Sequence, residues 1–206
     1  MSRARHLGLL MLAGCAAPPA APGWIELFDG ASTNGWTATK FGGEGPVDVV
    51  DGALEIDFGS PMTGLTWAGA PPTGAYDLEV IAARVDGTDF FCGLTFPVRD
   101  AHLTLVLGGW GGSLCGLSSL DGEDAANNDS RTLFRFENGR DYRVLVRVRQ
   151  DRVEVDLDGA PLLRAPIAGR RLSLRPEVEL SRPLGIASFA TRARVRAVRW
   201  RPASAR

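Results

Sequence analysis

Along much of this chain apolar and polar residues alternate one by one. Tyr142, Val144, Val146 and Val148 interleave with Arg143, Leu145, Arg147 and Arg149, and Val153, Val155 and Leu157 interleave with Glu154, Asp156 and Asp158. A period of two places one set on a buried face and the other in water, which is the signature of a half-buried strand. The two segments predict a hairpin, with Asp158-Gly159 as its turn. Further short runs rich in Val, Leu, Phe and Arg cover 53–58, 76–85, 90–98, 102–107, 184–190 and 194–200, separated by Gly, Asp, Asn and Pro clusters. No window of helical length sustains a 3.6-residue period. The expectation is an all-β domain of two antiparallel sheets, with a jelly-roll β-sandwich carrying one curved, concave sheet as its natural form.

Parity also distributes the candidate chemistry. His102, Thr104 and Val106 share one strand face and Leu103, Leu105 and Leu107 the other, so the leucines are expected in the core and His102 towards a cleft. In the preceding run Asp89, Phe91, Gly93 and Thr95 fall opposite Phe90, Cys92, Leu94 and Phe96. In 76–85, Asp77 and Glu79 lie on one face and Arg84 on the other unless a bulge intervenes. Charges inside such apolar strands are costly unless paired. Two readings follow: Glu79, Arg84, Asp89 and His102 form a functional cluster, or Arg84 and Asp89 close a strand-end salt bridge and His102 is simply at the surface.

The amino terminus reads as an address. Arg3 and Arg5 precede a short apolar core from Leu7 to Met11, and Leu12, Ala13, Gly14 and Cys15 have the form of a bacterial lipobox. The apolar run is too short to span a bilayer. Residues 1–14 are therefore expected to be a cleaved signal, Cys15 a lipidated residue, and 15–23 an Ala/Pro tether; the alternative is an ordinary secretory signal cut a few residues later. Either places the protein outside the cytoplasm, and the first anchors it to the cell envelope, in the periplasm or at the cell surface. Residues 24–202 suit a single domain, followed by a tail at 203–206. The chain holds 23 Lys and Arg and 24 Asp and Glu; without Arg3 and Arg5, 21 bases face 24 acids, which argues against nucleic acid or a polybasic membrane role. Contact with a membrane is expected through Cys15 only. In an exported domain Cys92 and Cys115 form either a disulfide or two buried free thiols.

Between the strands lie two loops with chemistry of their own. Gly108, Gly109, Trp110, Gly111 and Gly112 frame an indole that either stacks on a sugar ring or seals the sandwich edge. Asp121, Gly122, Glu123 and Asp124, with Asn127, Asn128 and Asp129, supply hard oxygen ligands in a spacing unlike an EF-hand; the loop either holds a divalent cation such as calcium or magnesium, at Asp121 and Asp124, or is solvated. The Glu-x-Asp-x-x-Glu motif of retaining glucanases is begun at Glu154 and at Glu55 but lacks its last glutamate in both places. No Gly-x-Ser-x-Gly elbow, zinc helix or phosphate loop occurs.

The 89–130 stretch, together with Leu27, Phe28, Asp29, Gly30, Gly35 and Trp36 near the start and the run 183–189 near the end, resembles the 3-keto-disaccharide hydrolase domain family over residues 24–202. The resemblance implies a concanavalin A/laminin G-like sandwich that acts on or binds sugars. It also implies a chemistry: a ketone at C3 acidifies the C2 proton, a base removes it, the glycosidic oxygen on C1 leaves, and water adds afterwards. Such a site needs a base, for which His102 or Glu79 is expected, an enolate stabiliser such as Arg84 or a cation, and Asp89 to orient them. Trp110, Thr95, Thr104, Asn127 and Asn128 would bind the sugar. A non-catalytic carbohydrate-binding module needs only the tryptophan, the amide loop and the concave face. A structural module is favoured if that face is filled by bulky side chains.

Overall fold

The computed structural model describes residues 23–204; the leader, Cys15 and all of the tether but Gly23 lie outside the described residues. Fifteen strands, numbered in chain order, form two sheets. In spatial order the larger contains β13 (Ala160–Pro166), β12 (Arg152–Leu157), β11 (Tyr142–Val148), β6 (Tyr76–Gly87), β15 (Thr191–Pro202), β4 (Ala53–Ile56) and β3 (Val47–Val50), with β1 (Ile25–Glu26) also paired to β15. The smaller contains β10 (Thr132–Leu133), β9 (Leu114–Ser118), β8 (Ala101–Gly108), β7 (Cys92–Val98), β14 (Gly185–Phe189), β5 (Met62–Trp67) and β2 (Trp36–Ala38). Neighbours in both sheets run antiparallel. Among the described residues no helix is long and apolar enough to cross a membrane.

The sheets meet on the faces that alternation selects. Tyr142, Val144, Val146 and Val148 from one sheet and Leu103, Leu105, Leu107, Leu94 and Phe96 from the other are buried in one core cluster. Phe91, Phe136 and Tyr142 close one end of it edge to face, with ring centroids 4.9 and 5.0 Å apart.

Two expectations change and one open alternative is decided. Asp158-Gly159 is not the turn of the β11–β12 hairpin; it joins β12 to β13, where Leu157 pairs with Ala160. Both of its residues have positive φ, 51° and 83°, so the dipeptide makes a two-residue turn whose twist suits a hairpin. The alternation at 89–91 also fails, because β7 begins only at Cys92. Phe91 turns into the core, while Phe90 turns outward and lies 5.8 Å from Phe189. Cys92 and Cys115 are both buried and free. Each pairs with Leu107, from opposite sides of β8, so two strand spacings of about 4.8 Å separate them, beyond the span of a disulfide. Burial, with Cys115 nearby, pushes the Cys92 thiol up to about 12, and burial pushes Cys115 up to about 11.

Candidate functional site

The smaller sheet turns its second face outward. Register places Thr66, Gly185, Thr95, Thr104 and Ser118 in one row across five strands, with Gly64, Ala187, Gly93, Val106 and Gly116 in the next. Small side chains at these positions leave room above the sheet. A Cβ on Gly93 would meet the Phe90 ring at 2.9 Å, so that glycine is what lets the ring fold across β7. The hydroxyls of Thr95 and Thr104 bond to each other at 2.8 Å.

Part of this face is covered. The 3₁₀ turn Pro176–Ser181 crosses it, burying Val178 against Met62 and Ala187, and the Thr66 hydroxyl donates to Leu180 O at 3.0 Å. His102 lies on the outer face as parity expects, beside Glu179 and Arg182 of the covering segment. Burial, reinforced by Arg182 and opposed by Glu179, lowers its pKa.

Towards the other end the face opens into a cleft of about 220 Å³. Met62, Phe90, Val106, Val178 and Phe189 give it an apolar lining, and Asp89, Thr104, Ser118, Trp110, Arg175 and Glu177 supply the polar edge. Trp110 is 44% exposed and holds a left-handed backbone, φ 48° and ψ 54°, that costs a bulky residue about 1–2 kcal/mol. Its neighbours fix that conformation. Arg84 donates from Nη1 to Gly112 O at 3.0 Å, from Nη2 to Phe136 O at 2.9 Å and from Nε to Asn138 Oδ1 at 2.7 Å, and Gly111 N–H donates to Asp89 Oδ2 at 3.4 Å. The Arg175 guanidinium lies 5.8 Å from the indole centre. Arg175 in turn pairs with Asp124 at 2.7 Å and Glu177 at 2.8 Å, and this hydrogen bond lowers the pKa of Glu177.

Arg175 and Glu177 also wall a second, polar cleft of about 410 Å³, bounded by Ser119, Glu123, Asp124, Asn127 and Ser173. The backbone N–H of Ser119 donates to Ser173 O at 2.6 Å and that of Ser173 to Ser119 O at 3.2 Å, a pairing that ties the covering segment to the end of β9.

The expected four-residue cluster is not assembled. Glu79 lies on the outer face of the opposite sheet, fully buried between Arg143, 2.5 Å away, and Arg199, 2.6 Å away. Arg84 has the inward parity of Leu78, Val80 and Ala82, and it braces the Trp110 loop from the sandwich end without pairing with Asp89. Only Asp89 of the four reaches the cleft. Trp110 and Thr104 line it, with Thr95 beneath. Asn127 lines the second cleft, whereas Asn128 is a brace, its Nδ2 donating to the carbonyls of Leu117, Glu123 and Asp124. The two candidate cation ligands, Asp121 and Asp124, are each engaged by an arginine. Asp121-Gly122 is a second tight turn closed by Leu120 and Glu123, Asp121 pairs with Arg170 at 2.8 Å, and Asp124 with Arg175. Among the described residues no three His, Cys, Asp or Glu side chains gather where they would hold a metal ion.

Phe90, Val106, Ser118 and Phe189 are cleft residues not singled out from the sequence. Val106 and Ser118 share the Thr104 face and were within reach of a parity argument. Arg175, Glu177 and Val178 come from an irregular segment whose position over the sheet no local pattern encodes.

No family model and no curated protein matches this sequence. Solved structures do. The carbohydrate binding module CBM66 from Bacillus subtilis matches with a TM-score of 0.51 and 13% identity over 81% of this chain and 95% of that one. The Crh5 transglycosylase in complex with NAG matches with a TM-score of 0.59 and 15% identity over 92% and 89%. SCLam, a non-specific endo-β-1,3(4)-glucanase from family GH16, matches with a TM-score of 0.54 and 15% identity over 91% and 95%. The fold is the concanavalin-like jelly roll. At these identities the likeness extends to the fold alone.

Proposed function

We propose that this protein recognises a carbohydrate along the rim where the two clefts meet, with Trp110 as the stacking platform. The observation that carries the reading is the clamped, strained and exposed indole: a large apolar ring held in a costly backbone at the edge of the first cleft serves a ligand better than it serves the core. The carbohydrate-binding and sugar-processing neighbours of the same fold support it, as does the resemblance over 24–202. Calorimetric titration with a panel of mono- and disaccharides tests it. Saturable binding that disappears in Trp110→Ala is expected, and no saturable binding to any sugar would overturn it.

A second reading, cleavage of 3-keto glycosides by elimination, is favoured by Asp89, a carboxylate at the edge of an apolar cleft whose Oδ2 has only one long donor. In this reading Asp89 takes the C2 proton to give the enolate, the enolate collapses to the C3 ketone and a C1–C2 double bond as the C1–oxygen bond breaks, the leaving oxygen takes the proton from Asp89, and water then adds across the double bond. Incubation with a 3-keto disaccharide is expected to release the 3-keto monosaccharide in the native protein and not in Asp89→Asn. The proposed cellular setting is an exported lipoprotein anchored through Cys15; the mass of the mature amino terminus isolated from membranes tests that placement.

A further inference from the structure

The two clefts that meet at Arg175 differ in whether their polar groups already have partners. In the first, Asp89 Oδ1 accepts from Phe90 N–H and Oδ2 from Gly111 N–H, the Thr104 hydroxyl bonds to that of Thr95, Ser118 Oγ accepts from Ala125 N–H, and Arg175 and Glu177 hold each other. What these partners leave for a ligand is chiefly the apolar lining, with Asp89 Oδ2 and the Ser118 hydroxyl proton at its edge. In the second, the Glu123 carboxylate and the hydroxyls of Ser119 and Ser173 make no hydrogen bond to other described residues, and Asn127 engages only its Nδ2, with Asp124.

We infer that the ligand is an amphipathic glycoside, its apolar aglycone in the first cleft and its sugar in the second, with Arg175 and Glu177 at the join and Trp110 beside Arg175. The inference rests on the carbohydrate reading and refines it. A sugar ring placed wholly in the first cleft would lose water from hydroxyls that find few free partners, at about 1–3 kcal/mol for each group left unpaired. An aromatic or short alkyl group there gains about 25 cal/mol for every Å² removed from water. Size agrees, because a dry apolar cavity of about 150 Å³ holds benzene, and the first cleft offers about 220 Å³. The second, wider and polar, keeps its carboxylate, amide carbonyl and hydroxyls available to a hydrated ring.

The test is calorimetric titration of the purified protein with matched methyl and phenyl β-glycosides of glucose, galactose and N-acetylglucosamine. For whichever sugar binds, the phenyl glycoside is expected to bind at least about tenfold more tightly than the methyl. Val178→Ser, which puts a hydroxyl into the apolar lining of the first cleft, should erase that preference, and Glu123→Ala should weaken both glycosides alike. Equal affinity of the methyl and phenyl forms would overturn the inference and leave the carbohydrate reading standing. Tight binding of phenol with no contribution from the sugar, or no binding of any glycoside, would overturn both.

Discussion

The two outer faces of this sandwich use polar residues in opposite ways. On the larger sheet each of four carboxylates sits between two arginines: Asp77 between Arg149 and Arg201, Glu79 between Arg143 and Arg199, Asp156 between Arg147 and Arg164, and Asp141 between Arg194 and Arg196. On the smaller sheet the outer row carries hydroxyls, glycines and an apolar cleft, and its nearest charges are held at the rim. Charge density therefore marks the outer face of the larger sheet, and charge scarcity the floor of the apolar cleft on the smaller one. A strand that buries acids can do so because its neighbours deliver guanidinium groups with fork geometry, which saturates the carboxylate and leaves nothing for a substrate.

The sharpest way to break this contrast is to remove Glu79. Glu79→Ala leaves Arg143 and Arg199 facing an empty buried site, and a loss on the order of 3 kcal/mol, about 10 °C in melting temperature, is expected with glycoside affinity unchanged. Scanning calorimetry and titration of the same variant decide it; lost binding in a protein of native stability would place Glu79 in function after all. Next is Trp110→Gly, which should cut sugar affinity roughly tenfold or more while stability holds or rises by about 1 kcal/mol as the left-handed strain is released. A clear fall in melting temperature would mean that the indole seals the sandwich.

Acid should unfold the arginine face first. In Asp141 and Asp156 burial, which raises the pKa, is outweighed by arginine hydrogen bonds, so both titrate below the ordinary value of 3.8. A carboxylate lowered on folding adds stability above its ordinary pKa and loses it as pH falls through the folded value. Melting temperature should accordingly drop below about pH 4, and a flat profile through that window would remove the pairs from the stability account. The smallest effects are expected from reductant and from His102. Excess thiol should leave melting unchanged, since Cys92 and Cys115 are free; a downward shift would reveal a bond between them. Titration of His102→Gln should give a sugar affinity within about twofold of native, and a larger loss would draw the covered histidine into the site.

Most of the fold was legible because burial alternates with a period of two wherever a strand has one wet face. The β11 and β15 segments show it plainly; β6 and β8 are buried on both sides and were legible from residue type, apolar on the core face and polar on the other. Among the strands that escaped notice, β5 carries Gly64 and two threonines, β9 consists of Leu114, Cys115, Gly116, Leu117 and Ser118, buried on both sides and so without contrast, and β13 is an edge strand carrying Pro161 and Pro166. The site was legible in part. Asp89, Thr104 and Trp110 stand on or beside recognisable strands, whereas Glu79 and Arg84 misled because a buried charge looks the same in sequence whether a substrate or a neighbouring arginine satisfies it. Which arginine lies opposite is a property of pairing between β6, β11 and β15, residues more than sixty positions apart.

That pairing also orders events in time. β15 lies between β6 and β4, registered along β6 from Thr191 opposite Gly87 to Pro202 opposite Tyr76, so the middle of the larger sheet is filled by the last of the described strands in chain order. Until it arrives, β6 and β4 present bare edges and the sheet stays in two halves, which favours slow closure and asks for protection from neighbouring chains. The sandwich closes only once β15 has slotted between β6 and β4, which couples completion of the core to the pairing of strands more than a hundred positions apart.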